Sequence, residues 1–83
     1  MSTEDHFTNM GFAQVGPGLW FREFTHPETG SIFSVTARIE KNGKTCVLYK
    51  RDGRLHKKRS YTRSPAVTAN AIKMSVVRAG FQM

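Results

Sequence analysis

The sequence has one cysteine, three prolines and six acidic residues among its 83 positions, and it has no long apolar segment. A single cysteine cannot form an internal disulfide, which favours a reducing compartment. No apolar run approaches the roughly 18 residues that a helix needs to span a bilayer. Glu4 and Asp5 near the N-terminus do not fit a signal peptide. We therefore expect a cytoplasmic protein that does not enter a membrane.

Patterns that would indicate catalysis or metal binding are also absent from the sequence. The three histidines stand apart from one another and no second cysteine completes a ligand set, so we predict no metal site. The glycines occupy turn positions rather than a phosphate-binding loop between a strand and a helix. No pairing of a nucleophile with a base is visible. The sequence therefore predicts a protein that is not an enzyme and that needs no cofactor.

Basic residues are abundant and unevenly distributed. The chain has 13 Lys and Arg against six Asp and Glu, for a formal net charge of +7. Residues 1–37 contain one arginine and four acids, whereas residues 38–63 contain ten basic residues and two acids. Charge concentrated in this way creates a local positive field. It favours a polyanionic partner, which would be DNA, RNA or an acidic surface of a nucleoprotein complex.

The densest basic segment is Lys50–Arg63, which surrounds an Asp52-Gly53 turn. A two-stranded ribbon of this kind fits the major groove of DNA, where basic side chains read guanine or hold phosphates. We predict that the nucleic-acid contacts are the basic side chains of this segment and two that extend it: Arg38, Lys44, Lys50, Arg51, Arg54, Lys57, Lys58, Arg59 and Arg63.

Three aromatic residues are candidates for stacking on bases or for anchoring a protein interface: Tyr49, Tyr61 and Trp20. The alternative for the two tyrosines is packing on an edge strand with the hydroxyl groups in water. The alternative for Trp20 is packing in the sheet or beneath the N-terminal segment.

Alternating apolar residues predict strands over residues 19–24 and 31–40. Asn42-Gly43 between the second and third strands predicts a two-residue type I′ turn. That turn would place Ile39 opposite Cys46 and Ala37 opposite Leu48. We therefore expect Cys46 on the core face as a small apolar residue, not as a reactive thiol.

Asp52-Gly53 predicts a second hairpin of the same type. A regular two-residue turn there would place Lys57 opposite Leu48 and Arg59 opposite Cys46. The bases would then point towards the core, where an unpaired charge is too costly. The last strand is therefore expected to be short, bulged or at the edge of the sheet.

The C-terminal segment predicts a helix that begins after Ser64 and ends at about Ala79, with Gly80 as its stop. Its apolar surface is wide enough to need a second cover besides the sheet. That cover is either the N-terminal segment or a second copy of the protein in a homodimer through the C-terminal helix.

The predicted fold class is α+β, with a three- to four-stranded antiparallel sheet packed on one C-terminal helix. Residues 1–18 form an N-terminal arm or a short helix capped by Ser2 or Thr3, and residues 19–83 form a single sheet-plus-helix domain. The element order over residues 19–79 is similar to that of small DNA-binding modules such as the arm-binding domains of phage integrases and the plant AP2 type. This resemblance implies DNA binding and assigns no residues, because it rests on element order alone.

Two functions fit these features. The first is a small basic nucleic-acid-binding protein that uses a cationic β-hairpin and a sheet edge to contact the phosphate backbone. The second is a compact protein–protein interaction module or inhibitor of the phage or mobile-element type, for example an anti-CRISPR-like inhibitor of a nucleoprotein complex.

Overall fold

Five antiparallel strands and two helices make up the computed structural model, which describes residues 2–83 and leaves out Met1 of the predicted arm. The elements are α1 (Thr3–Asn9), β1 (Ala13–Gly16), β2 (Leu19–Thr25), β3 (Ile32–Ile39), β4 (Thr45–Arg51), β5 (Arg54–Tyr61) and α2 (Pro65–Arg78). The strands are ordered β1-β2-β3-β4-β5 in one sheet. The α+β class is confirmed, but the predicted strand count of three to four is wrong. Residues 13–16, which belong to the predicted N-terminal arm or short helix, pair with β2 as a fifth strand.

The N-terminal helix is defined by local signals at both of its ends. Ser2 and Asp5 form a capping box at its start, and Gly11 adopts φ +79° just beyond its end. The N–H of Phe12 then donates to the carbonyl of Phe7 at 2.9 Å, and the two rings pack 5.1 Å apart. The predicted short helix is therefore present, and it places Phe7 in the core at 1% exposure.

The C-terminal helix also begins and ends where the sequence predicts. The Ser64 hydroxyl accepts from the N–H of Val67, Pro65 is the first helical residue, and Gly80 has φ +96°. The N–H of Phe81 donates to the carbonyl of Val76 at 3.2 Å, which closes the helix end. This closure directs the Phe81 ring into the core.

Both helices pack on the same face of the sheet. A continuous apolar core joins α1, the sheet and α2; its aromatic members include Phe7, Trp20, Phe33, Tyr49 and Phe81, and α2 contributes Ile72 and Val76. The second cover that α2 needs is supplied in part by α1, which lies against it. On the outer side of α2 three apolar side chains stay exposed: Val67, Met74 and Val77. The opposite face of the sheet carries no helix within residues 2–83 and is called here the open face.

The turn between β3 and β4 differs from the prediction. The carbonyl of Glu40 accepts from Gly43, and the N–H of Glu40 donates to the carbonyl of Lys44, so the loop has three residues rather than two. Gly43 alone takes a positive φ, +84°, as in a type I turn followed by a bulge.

The longer loop shifts the register of β4 by one residue. Ala37 lies opposite Val47, and Arg38 lies opposite Cys46. The prediction that Cys46 faces the core is therefore wrong. Because side chains alternate along a strand, the shift turns Cys46 to the open face and turns Tyr49 inwards.

The second hairpin agrees with the prediction. Asp52 and Gly53 have φ values of +51° and +82°, as a type I′ turn requires, and Arg51 pairs with Arg54. The pairing then slips between Tyr49 and Lys50, where His56 is the extra residue of a β-bulge. The strand is an edge strand and is bulged, but at eight residues it is not short.

Candidate nucleic-acid interface

The predicted contact residues divide between the two faces of the sheet. Residues directly opposite each other in antiparallel strands share a face, so the observed pairings place each cation. The helix-bearing side receives Arg51, Arg54, Lys57 and Arg59, and the open face receives Arg38, Lys50 and Lys58. Lys44 lies in the β3–β4 loop, and Arg63 lies between β5 and α2. The cations therefore do not form one patch on a single face, and those of β5 itself divide between its two sides.

On the helix-bearing side, Lys57 and Arg51 contact other parts of the fold. The Lys57 ammonium donates to the Ser75 hydroxyl at 2.9 Å and lies 5.0 Å from the centre of the Tyr49 ring. Burial lowers the pKa of Lys57, and the positive charges of Arg59 and Arg78 lower it further. The Arg51 guanidinium lies 5.6 Å from the Phe81 ring. These two cations therefore help to join β4 and β5 to α2.

The remaining basic side chains of β5 are exposed, and among them the Arg59 guanidinium donates to the carbonyl of Lys58 at 3.1 Å. Arg54, Lys58 and Arg59 are exposed, and so is Arg63 just after the strand. No acidic residue occurs in Arg54–Tyr61. The edge strand β5 thus carries positive charge on both faces.

Two acidic residues of the N-terminal half lie on the first helix. Glu4 and Asp5 belong to the first turn of α1, and α1 packs on β2 through Phe7, whose ring is 5.9 Å from that of Trp20. In the sheet, β2 and β5 are three strands apart.

Asp52 is the acidic residue in the turn of the basic hairpin, and its carboxylate accepts hydrogen bonds from within the fold. Its carboxylate accepts from the N–H of Ile32 at 2.8 Å and from the Ser31 hydroxyl at 3.1 Å. The hydrogen bond from Ile32 lowers the pKa of Asp52, and the one from Ser31 adds to this effect. Asp52 thus ties the hairpin turn to the start of β3.

The three aromatic candidates are not arranged as a stacking surface. Trp20 and Tyr49 are buried at 6% and 0% exposure, so the prediction that they anchor a ligand is wrong and the alternative of core packing holds for Trp20. Tyr49 is inward because of the register shift in β4. Its hydroxyl lies 3.1 Å from that of Tyr61, which is half-buried. Burial, and next the Tyr61 hydroxyl, raise the pKa of Tyr49.

The open face contains a groove that the sequence analysis missed. It has a volume of about 350 Å³ and is lined mainly by Leu19, Thr36, Arg38, Glu40, Cys46, Leu48 and Lys58. The Cys46 thiol donates to the Glu40 carboxylate at 3.3 Å and lies 3.7 Å from the Ser60 hydroxyl. The prediction that Cys46 faces the core concealed this groove.

Comparisons with known proteins add no identification. No protein family, curated protein or solved structure matches the chain. The likeness in element order to integrase arm-binding and AP2 modules therefore stays a prediction.

Two further findings apply to residues 2–83. No three His, Cys, Asp or Glu side chains come together there as a metal-binding group. Neither helix in this part of the chain has the length and apolar character needed to cross a membrane.

Proposed function

We propose that this protein is a small, non-enzymatic nucleic-acid-binding protein that contacts the phosphate backbone along the β5 edge. The observation that carries the proposal is the placement of Arg54, Lys58, Arg59 and Arg63, all exposed, on or beside the edge strand β5. Basic side chains that neutralise phosphates release bound counterions, and this release drives much of nucleic-acid binding.

The form of the edge supports this role over sheet extension by another copy. Long edge strands invite pairing with a second chain, and charged side chains and bulges oppose such pairing. Two copies of β5 placed side by side would bring like charges together. The same charges suit a partner of opposite sign.

Salt-dependent binding tests the proposal. Fluorescence anisotropy with labelled duplex and single-stranded oligonucleotides should show tighter binding at 50 mM than at 200 mM salt. If six phosphates are neutralised, the log–log slope for duplex should be about −5.

A charge-matched pair of variants locates the contact. Lys58→Gln with Arg59→Gln should reduce the magnitude of the duplex slope by about 1.8, because two phosphate contacts are lost. Lys41→Gln with Lys73→Gln changes the net charge equally, and both residues are exposed outside β5. Equal losses in the two double variants, or binding that does not depend on salt, would contradict the proposal.

A protein partner or a homodimer is the second candidate, and the exposed apolar side chains on the outer side of α2 favour it. Val67 and Val77 are 44% and 46% exposed. A Val67→Lys, Val77→Lys variant should then lose a dimer that light scattering detects in the unaltered protein. If the unaltered protein is monomeric at high concentration, the homodimer hypothesis is wrong.

A further inference from the structure

The open face combines half-buried apolar side chains with isolated positive charges. The observed pairings align Phe21, Thr36, Leu48 and Lys58 as one row across four strands. Leu19, Arg38 and Cys46 form the adjacent row, which ends at Ser60. Leu19, Phe21 and Leu48 are only half-buried although no helix covers this face within residues 2–83. The face therefore presents apolar surface to whatever lies against it.

Two cations, Arg38 and Lys58, lie among these side chains and line the groove. Arg38 belongs to β3 and Lys58 to β5, two strands apart, so their backbones are separated by roughly 10 Å across the sheet. Both are exposed and both line the groove, and Leu48 lies between them on β4. A ligand over Leu48 would therefore have Arg38 on the neighbouring strand at one side and Lys58 on the neighbouring strand at the other.

Polar groups are also present where a planar ligand would need them. The Thr36 hydroxyl lines the groove as donor or acceptor, and the Glu40 carboxylate lines it as an acceptor. A volume of about 350 Å³ lies at the lower end of the range for small-ligand sites.

We infer that the open-face groove receives an unpaired base of a single-stranded nucleic acid, with the flanking phosphates on Arg38 and Lys58. This inference rests on the proposed function and adds the class of nucleic acid to it. An unpaired base has an apolar face for Leu48 and a polar edge for Thr36 and Glu40. In a duplex the bases are stacked and paired, and a phosphate surface offers nothing apolar to cover the groove. The protein should therefore bind single strands through both the edge and the groove, and duplex through the edge alone.

The only cysteine of the chain provides a direct readout. Cys46 lines the groove and is half-buried, so the rate at which the neutral reagent iodoacetamide alkylates it reports access to the groove. A single-stranded oligonucleotide at ten times its dissociation constant occupies over nine-tenths of the protein and should slow alkylation about tenfold. Duplex at the same degree of saturation should leave the rate near that of the free protein.

A groove variant and its control give a second readout. Arg38→Gln should weaken single-strand binding and reduce its salt slope by about 0.7, while duplex binding is unchanged. Lys41→Gln removes a nearby exposed charge outside the groove and should change neither.

The outcomes separate this inference from the proposed function. Slower alkylation with single strands only, together with the selective effect of Arg38→Gln, supports the inference. Binding of both nucleic acids with unchanged alkylation overturns it and leaves the proposed function intact. Equal protection by duplex also overturns it, because a ligand on the edge would then account for the shielding. No binding of either nucleic acid overturns both.

Discussion

Replacing Gly18 by alanine should destabilise the fold more than the same change at Gly43. Both glycines have a positive φ, +65° and +84°, which costs a residue with a Cβ about 1–2 kcal/mol. Only at Gly18 would the new Cβ also meet the backbone, 2.9 Å from the carbonyl oxygen of Ile39. The carbonyl of Gly18 accepts from the N–H of Ile39 at 2.8 Å, so relieving the contact would disturb this hydrogen bond.

The expected losses of unfolding free energy follow from the backbone strain at positive φ and from the contact of the new Cβ with the Ile39 carbonyl oxygen. Overpacking against a rigid group costs about 1–3 kcal/mol, so Gly18→Ala should lower the free energy of unfolding by about 2–5 kcal/mol in total. Gly43→Ala, with open space around the new methyl, should lower it by about 1–2 kcal/mol. A domain of 83 residues has about 4–12 kcal/mol of stability, so the larger loss would leave the protein close to unfolding.

Urea denaturation followed by tryptophan fluorescence measures both changes. Trp20 is the only tryptophan and is buried, so its emission should report loss of the core. Thermal unfolding offers a second measurement: in a domain of this size the midpoint temperature should fall by about 4–8 °C for each kcal/mol of stability lost. Equal losses in the two variants would show that Gly18 is not held against Ile39 and would refute the reasoning.

Two further predictions concern pH. Burial raises the pKa of Tyr49, so this tyrosine ionises at a lower pH in the unfolded chain than in the folded protein, and stability should fall as the pH rises above about 10. Ultraviolet absorbance during alkaline titration should show one tyrosine that ionises only when the protein unfolds. Tyr49→Phe should remove this delayed ionisation from the titration. The hydrogen bonds to Asp52 lower its pKa below 3.8, so the stability it adds is present above that pH and lost as the pH falls through the lowered value. Urea denaturation at pH 7 and pH 3 measures how much unfolding free energy is lost on acidification. The Asp52→Asn variant should lose less than the unaltered protein between these two pH values. An equal loss of unfolding free energy in both proteins would contradict this account.

Much of the fold was predictable because its signals are local. A helix end depends on a capping side chain and a glycine within a few residues, and Ser64 and Gly80 mark α2 without knowledge of the rest of the chain. The Asp52-Gly53 turn was predictable for the same reason. The cost of buried charge correctly required a bulge or an edge position for the strand that follows it.

The register of β4 was not predictable, because Asn42-Gly43 suits two different loops. Either alternating set of side chains in β4 offers apolar residues to a core, so the pattern alone does not choose between Cys46 with Leu48 and Val47 with Tyr49. Packing makes the choice: the Tyr49 ring lies 6.0 Å from that of Phe33 beneath the helices. The same choice moves the groove residues to the open face.

By itself, the sequence determined the position of the C-terminal helix, the turn of the second hairpin and the excess of positive charge around that hairpin. Only the tertiary structure decided that Ala13–Gly16 joins the sheet and that the cations divide between its two faces. Turns and caps are set by neighbours along the chain. Strand register and the direction of each side chain are instead set by which alternative buries more apolar surface against elements distant in sequence.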